Sequence, residues 1–164
     1  MKKLFVIALL VGALIVSSLT VMAQDAKVLK LSHLNPQQPK DVATAAMAEV
    51  FKSMVESGTN GSVVVEIYPN GVLGNERESM EQVQNNVTQS YIASGGGMAT
   101  FYPKFSIVNI PFSITNYSVA YEVYDGEFGQ QMAADIEEET GFKVLGFGES
   151  GGFFQLTNSE RPIR

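Results

Sequence analysis

The alternation of strand and helix patterns near the start of this chain constrains its fold more than any other feature. Residues 28–34 alternate loosely between apolar and polar and stop at Asn35-Pro36, which predicts a strand followed by a turn. Over residues 40–57, apolar side chains recur at spacings of three and four, which predicts a helix. A second apolar run, residues 63–68, predicts another strand. This order predicts a right-handed βαβ unit with a parallel sheet. The predicted apolar face of the helix comprises Ala43, Met47, Val50 and Met54, with Ala46 and Phe51 beside it.

A second crossover follows and ends in a run of glycines. A helix is predicted from Glu76, with Met80, Val83 and Val87 on one face, and it leads to a short buried strand at residues 91–93. The three residues Gly95, Gly96 and Gly97 come next, where backbone N–H groups can approach a ligand closely. In open α/β sheets, ligands bind beyond the carboxyl ends of the strands. The alternative is a turn followed by ordinary core, and glycines alone favour that alternative.

The second half of the chain continues the same alternation. Asn116 fits the N-cap of a helix that carries residues 119–124, and a further helix runs to Gly141. Residues 143–147 and 153–157 predict two more strands. Because no repeat, low-complexity segment or linker interrupts this pattern, we expect one α/β domain with a mixed, mainly parallel sheet flanked by helices.

The first 23 residues have the pattern of a secretory signal peptide. Lys2 and Lys3 precede a mostly apolar run, and the small residues Val21 and Ala23 fit cleavage after residue 23. The apolar run is shorter than the roughly 20 residues that a spanning helix needs, so we expect no stable membrane insertion after cleavage; a retained N-terminal anchor is the alternative. The absence of cysteine fits a bacterial periplasmic protein without a disulfide framework.

The composition excludes several classes of function. With 17 acidic and 11 basic residues the formal net charge is −6, which does not fit a nucleic-acid-binding protein. One histidine and no cysteine do not make a metal site. The glycine spacings of nucleotide-binding and dinucleotide-binding loops are absent, so we expect no cofactor.

Residues 148–152 match the Gly-x-Ser-x-Gly pattern of a hydrolase nucleophile, with Ser150 at its centre. That arrangement requires a helix after the serine and a histidine later in the chain. Here a strand is predicted next, and the only histidine, His33, lies far upstream. We therefore interpret Ser150 as part of a glycine-rich turn.

Three polar residues lie where the predicted strands and helices meet. His33 follows the first strand and could donate a hydrogen bond to a ligand oxygen, or could be a half-buried histidine held by a backbone carbonyl; the sequence does not favour either. Glu76 and Arg77 open a helix at the same edge of the sheet. The alternative for this pair is a negative charge favoured by the helix dipole beside an ordinary surface arginine.

Several blocks of the chain, in this order and spacing, resemble the solute-binding proteins of TRAP transporters, the DctP-like family. These proteins deliver organic acids to a sodium-coupled membrane transporter. The blocks are Leu29 to His33, Tyr68 to Glu78, Phe101-Tyr102-Pro103 with Ile110-Pro111-Phe112, Tyr124 to Gly129, and Gln155 to Ser159 with Arg161-Pro162-Ile163.

The resemblance implies a periplasmic-binding-protein-like architecture in which two lobes close on an anionic ligand. It assigns residues 24–164 to most of the first lobe and implies that the second lobe is missing from this chain. Contacts with the ligand are expected from His33, Glu76, Ser94 and Gly95, and the pocket would be lined by Gly96, Gly97 and Tyr68. Sialic-acid-binding members have a Glu and an Arg where this chain has Ser94 and Gly97, which argues against sialic acid. The family's arginine that clamps the ligand carboxylate is expected just past Arg164, so residues 24–164 alone should bind weakly.

The resemblance thus implies a periplasmic subunit that captures a small organic acid for sodium-coupled uptake, with TRAP membrane subunits as partners and no enzymatic activity. A sensory protein that presents the same ligand to a membrane receptor is one alternative. A secreted serine hydrolase that uses Ser150 is the other.

Overall fold

The computed structural model describes residues 26–152 and residue 159. Three strands form its sheet: β1 (Lys27–Ser32) lies in the centre, between β2 (Val63–Tyr68) and the short β3 (Ser90–Tyr91), and both pairings are parallel. The α/β fold with a mainly parallel sheet is confirmed. The first strand is shorter than residues 28–34, and β3 is shorter than residues 91–93, although the backbone N–H of Ile92 still donates to Ser32 O at 3.0 Å.

Five α-helices and one 3-10 helix surround the sheet in the described part of the chain. They are α1 (Ala43–Gly58), α2 (Glu76–Gln84), α3 (Gly95–Phe101), the 3-10 helix Pro103–Asn109, α4 (Tyr117–Asp125) and α5 (Glu127–Thr140). The predicted N-cap at Asn116 is confirmed, because its side-chain oxygen accepts from Val119 N at 3.0 Å. Gly141 ends α5 with a φ of 77°, a conformation that favours glycine. Val87 lies beyond the end of α2 and is exposed, so its predicted place on the helix face was wrong.

Helix α1 packs against one face of the sheet with only part of the apolar set that the spacing predicted: Phe51 contacts the core, whereas Val50 and Met54 are exposed. Its buried residues are Thr44, Ala45 and Ala48, whereas Val50 and Met54 are 58% and 69% exposed. The small side chains let the helix approach the strands closely, where Ala48 joins Leu31 and Val65 in a buried core. The prediction gave too much weight to the larger apolar residues.

A second core links α2, α3, α5 and the 3-10 helix. It is formed by Met80, Tyr102, Phe105, Met132, Ile136 and Phe142. Tyr91 and Ala93 pack against this core and connect it to the β3 side of the sheet. The first core therefore lies between the sheet and α1, and the second core lies between the β3 side of the sheet and α2, α3 and α5.

The predicted strand at residues 143–147 is not formed in the structure. Val144 and Phe147 are half-buried against the second core, while Leu145 is 71% exposed. A strand also needs a neighbouring strand as hydrogen-bond partner, and none of the described strands lies beside this segment. The other predicted strand, residues 153–157, lies outside the described residues.

Side chains of α1 cover the backbone of the edge strand β2. Glu56 Oε1 accepts from Val65 N at 2.9 Å, and Lys52 Nζ donates to Val65 O at 2.6 Å. Lys52 and Glu56 also form an ion pair at 2.9 Å. These contacts satisfy an exposed strand edge that could otherwise pair with another chain.

Candidate functional site

The carboxyl ends of the three strands meet at one edge of the sheet, and backbone hydrogen bonds join the segments that follow them. His33 N donates to Tyr68 O at 3.1 Å, and Gly71 N donates back to His33 O at 3.1 Å. Residues that follow β1 and β2 are therefore held side by side. This is the edge at which open parallel sheets bind ligands.

The N-terminus of α2 is fixed at the same edge by a capping box. Asn75 accepts from Glu78 N at 3.0 Å, and the Glu78 carboxylate accepts from Asn75 N at 2.8 Å. Gly74 precedes the cap with a φ of 128°, which favours glycine. As a result, Glu76 occupies the first position of the helix and has a fixed backbone.

The structure brings Glu76 and residues 94–97 together. Glu76 Oε1 accepts a hydrogen bond from Ser94 N at 2.7 Å, across 18 residues of sequence. Ser94 is in turn the N-cap of α3, where its hydroxyl oxygen accepts from Gly97 N at 3.0 Å. The Glu76 side chain is half-buried and Ser94 is exposed, so this junction borders solvent.

The three glycines form the first turn of α3, whereas the sequence analysis had expected either backbone that a ligand could approach or a turn followed by ordinary core. Gly97 is the one that the junction requires, because a Cβ there would lie 2.2 Å from Glu76 Cδ. At Gly96 the nearest atom to a Cβ would be Ser94 Oγ at 3.7 Å, which is ordinary contact. The glycine run therefore gives room to a protein carboxylate in this structure.

Tyr91 places a buried hydroxyl near Glu76, and sequence analysis missed it as a polar group. The hydroxyl has no hydrogen-bond partner among the described residues. Burial, and secondarily the charge of Glu76, raise the pKa of Tyr91 above its ordinary value, so the hydroxyl keeps its proton. The available signal was a tyrosine, with its polar hydroxyl, four residues before Gly95.

Ser32, Tyr68 and Tyr91 share one face of the sheet, because Ser32 is paired in register with both tyrosines. The Ser32 hydroxyl is also buried without a partner in the described part of the chain. The Tyr68 hydroxyl donates to Glu66 Oε2 at 2.7 Å, and this hydrogen bond raises the pKa of Tyr68. The Tyr68 hydroxyl thus already donates its hydrogen bond to Glu66, although Tyr68 lies at the carboxyl edge of the sheet, where the ligand pocket was predicted.

His33 is fully buried and its ring contacts the side of the sheet that α1 covers. Nε2 lies 2.9 Å from Gln37 Oε1, and Gln37 Nε2 donates to Glu49 Oε1 on α1 at 2.8 Å. Nδ1 is buried and has no partner within residues 26–152. The hydrogen-bond partner of this histidine is therefore the side-chain amide of Gln37, whereas the sequence analysis had considered a backbone carbonyl or a ligand.

The described residues offer little support for other kinds of site. Ser150 is exposed in a segment of bends, in which Gly151 and Gly152 have φ values of 128° and 94°. No group of three or more metal-binding side chains occurs in the described ranges. No helix among residues 26–152 has the length and apolar character needed to cross a membrane.

A model of one protein family matches most of the chain. Residues 32–164 fit the DctP family, described as bacterial extracellular solute-binding protein, family 7. A solute-binding protein of Verminephrobacter eiseniae is 34% identical over 71% of this chain and 34% of its own length. The C4-dicarboxylate-binding periplasmic protein DctP of Rhodobacter capsulatus is 30% identical over 96% of this chain and 46% of its own length.

Solved structures agree with these sequence relatives. A TRAP periplasmic solute-binding protein from Polaromonas sp. JS666, bound to D-erythronate, has a TM-score of 0.66 and is 32% identical. The match covers 73% of this chain and 38% of that protein. The chain thus spans less than half the length of the relatives that it matches.

Proposed function

Because this chain belongs to the DctP family of bacterial extracellular solute-binding proteins, we propose that it captures a small organic acid in the periplasm. The acid would be passed to TRAP membrane subunits for sodium-coupled uptake. In this proposal residues 1–23 are the signal peptide, residues 24–164 form most of a first lobe, and the protein is not an enzyme. Closure of a second lobe over the ligand would be the working motion.

The observation that carries the proposal is the polar junction at the carboxyl edge of the sheet. Glu76 and Ser94 are joined at 2.7 Å, and the junction borders solvent. It lies where α/β proteins bind small ligands. The buried hydroxyl of Tyr91 adds a hydrogen-bond donor nearby.

The relatives support a small acid as the ligand. The Polaromonas structure holds D-erythronate, a hydroxylated monocarboxylic acid, and the Rhodobacter protein is named for C4-dicarboxylates. A bidentate arginine is the physically suitable anchor for such a carboxylate. In this proposal that arginine follows residue 164, so the first lobe would contribute hydrogen bonds and the remaining protein would contribute the positive charge.

The test is a thermal-shift panel of organic acids on the full native polypeptide without residues 1–23. A ligand at a hundred times its dissociation constant stabilises the folded state by about 2.7 kcal/mol, which raises the melting temperature by several degrees. We expect such a rise for at least one small acid. A polypeptide of residues 24–164 serves as the comparison and should show little or no rise.

The proposal is wrong if every acid in the panel leaves the melting temperature of the full polypeptide unchanged. It is also wrong in its two-lobe form if residues 24–164 alone bind an acid as tightly as the full polypeptide does.

A further inference from the structure

We propose that helix α1 closes the outer edge of β2 and so prevents a second copy of this chain from pairing with that strand. The closing residues are Lys52, Glu56 and Thr59, which we call the edge cover. Without the edge cover, two copies would join through β2 in an antiparallel, two-fold arrangement. This inference concerns the assembly of the protein and does not depend on which ligand it binds.

Strand β2 is well suited to pairing with another chain. It lies at one end of the strand order β2-β1-β3, and the other edge strand, β3, has only two residues. Of the six side chains of β2, five are β-branched or aromatic and one is charged, and the strand contains neither proline nor glycine. Segments of this length and composition form intermolecular sheets when their edge is exposed. An open edge on β2 would therefore favour self-association.

The backbone groups on the outer edge of β2 belong to its odd-numbered residues. Tyr68 O accepts from His33 N, so the even-numbered residues of β2 face β1. In a parallel pair, the N–H and C=O of successive residues point to opposite edges of the strand. Those of Val63, Val65 and Ile67 therefore point away from β1, where the described sheet has no further strand.

The edge cover supplies the hydrogen-bond partners that a neighbouring strand would supply. Glu56 Oε1 accepts from Val65 N at 2.9 Å, and Lys52 Nζ donates to Val65 O at 2.6 Å. Thr59, at the end of the helix, accepts from Val63 N through Oγ1 at 3.2 Å. Both outward-facing groups of Val65, in the middle of the strand, are therefore already bonded.

The spacing and exposure of the edge cover fit this role better than a role in helix stability. Lys52, Glu56 and Thr59 are four and three residues apart, so they form one row along the helix. The side chains of Lys52 and Glu56 are 35% and 31% exposed, so another chain could reach the edge if they were removed. A solvent-accessible ion pair at this spacing adds little to stability by itself. Pro69, which has no N–H, follows the last residue of the same strand.

A second copy of this chain is the partner that fits the uncovered edge. Two β2 strands related by a two-fold axis run antiparallel, and an axis at Val65 lets its N–H and C=O bond to Val65 of the second copy. Val63 then lies opposite Ile67 of the second copy. All the outward-facing groups of these three residues would find partners in that arrangement.

The test is sedimentation velocity of the full native polypeptide without residues 1–23 at increasing protein concentration. Lys52→Ala/Glu56→Ala should associate as the concentration rises, whereas the wild type should not. Arg77→Ala/Glu81→Ala is the matched control, because it breaks another i,i+4 ion pair of 2.9 Å, on α2, with the same unchanged net charge. This control should sediment like the wild type. A thermal melt of each variant checks that it is folded.

Amide hydrogen exchange localises the contact. The Val65 N–H of the wild type should exchange slowly although it faces the outer edge. In Lys52→Ala/Glu56→Ala at low concentration, its exchange should be about tenfold or more faster, because a hydrogen bond to a charged acceptor is lost. The exchange should slow again as the concentration rises and the copies pair. The N–H of Glu66, which faces β1, is the internal reference and should change little.

Three results would each overturn the inference. One is unchanged sedimentation of the folded Lys52→Ala/Glu56→Ala variant at every concentration. Another is equal association of the Arg77→Ala/Glu81→Ala variant, because the loss of any ion pair would then suffice. The third is fast exchange of the Val65 N–H in the wild type, which would show an open edge and requires no variant to fold. Binding of organic acids is measured separately, so the proposed function stands or fails independently.

Discussion

Replacement of Gly97 by alanine should destabilise the protein by displacing the Glu76 carboxylate. The added Cβ would lie 2.2 Å from Glu76 Cδ and 2.4 Å from Oε1, closer than non-bonded atoms allow. Because these atoms end a flexible side chain, Glu76 moves away and the backbone is not strained. The cost is then the charge-assisted hydrogen bond to Ser94 N, about 1.5–3 kcal/mol. The better helix propensity of alanine offsets up to about 1 kcal/mol, which leaves a net loss of about 0.5–3 kcal/mol.

Gly96→Ala provides the matched control within the same turn of α3. A Cβ there makes ordinary contact with Ser94 Oγ at 3.7 Å, so alanine should be neutral or should stabilise by up to about 1 kcal/mol. Urea unfolding of both variants gives the two free energies. In a Glu76→Ala background, the cost of Gly97→Ala should disappear. Equal stability of the Gly97→Ala and Gly96→Ala variants would refute the reasoning.

Three further predictions concern other parts of the fold. Hydrogen bonds from Lys52 and from Val65 N lower the pKa of Glu56. The stabilisation that the Glu56 carboxylate gives is therefore present above its unfolded pKa and is lost as the pH falls through its folded pKa. Glu56→Gln should reduce the loss of unfolding free energy at acid pH, and a pH profile identical to that of the wild type would contradict this. Asn75→Ala removes the N-cap of α2 and should cost about 1 kcal/mol in urea unfolding, whereas no loss would mean that the cap is redundant. Tyr91→Phe removes a buried hydroxyl without a partner in the described residues, so the unliganded protein should keep its stability or gain up to about 1 kcal/mol, and a loss would reveal an acceptor.

The order of strands and helices was predictable because it depends on local patterns. The βαβ start follows from apolar periodicity, and the ends of the later helices follow from Asn116 and Gly141, whose side-chain or backbone preferences act within a few residues. The same holds for Glu76 as the first residue of α2. These features can be predicted without knowing which other parts of the fold each helix or strand packs against.

Features that depend on tertiary contacts were not predictable in this way. The buried face of α1 is set by how closely Ala45 and Ala48 approach the sheet, and periodicity alone favoured the bulkier Val50 and Met54. The glycines join α3 because Ser94 caps it, although their composition favoured a loop. Residues 143–147 were predicted as a strand but have no neighbouring strand in the described structure.

The candidate site was predictable in its location but not in its internal contacts. Glu76 was placed at the carboxyl edge by the order of the elements, and Ser94 was named through the family resemblance. Their hydrogen bond, the steric role of Gly97 and the partnerless hydroxyl of Tyr91 depend on distances across the fold. His33 shows the same limit, since Gln37 and Glu49 hold it from the α1 side.

The most direct test of the central claim is a calorimetric titration of D-erythronate into the full native polypeptide without residues 1–23. The account predicts saturable binding at one site for D-erythronate or for another small organic acid titrated in the same way. Absence of binding by D-erythronate and by every other small organic acid would contradict the claim that this chain forms part of an organic-acid-binding protein.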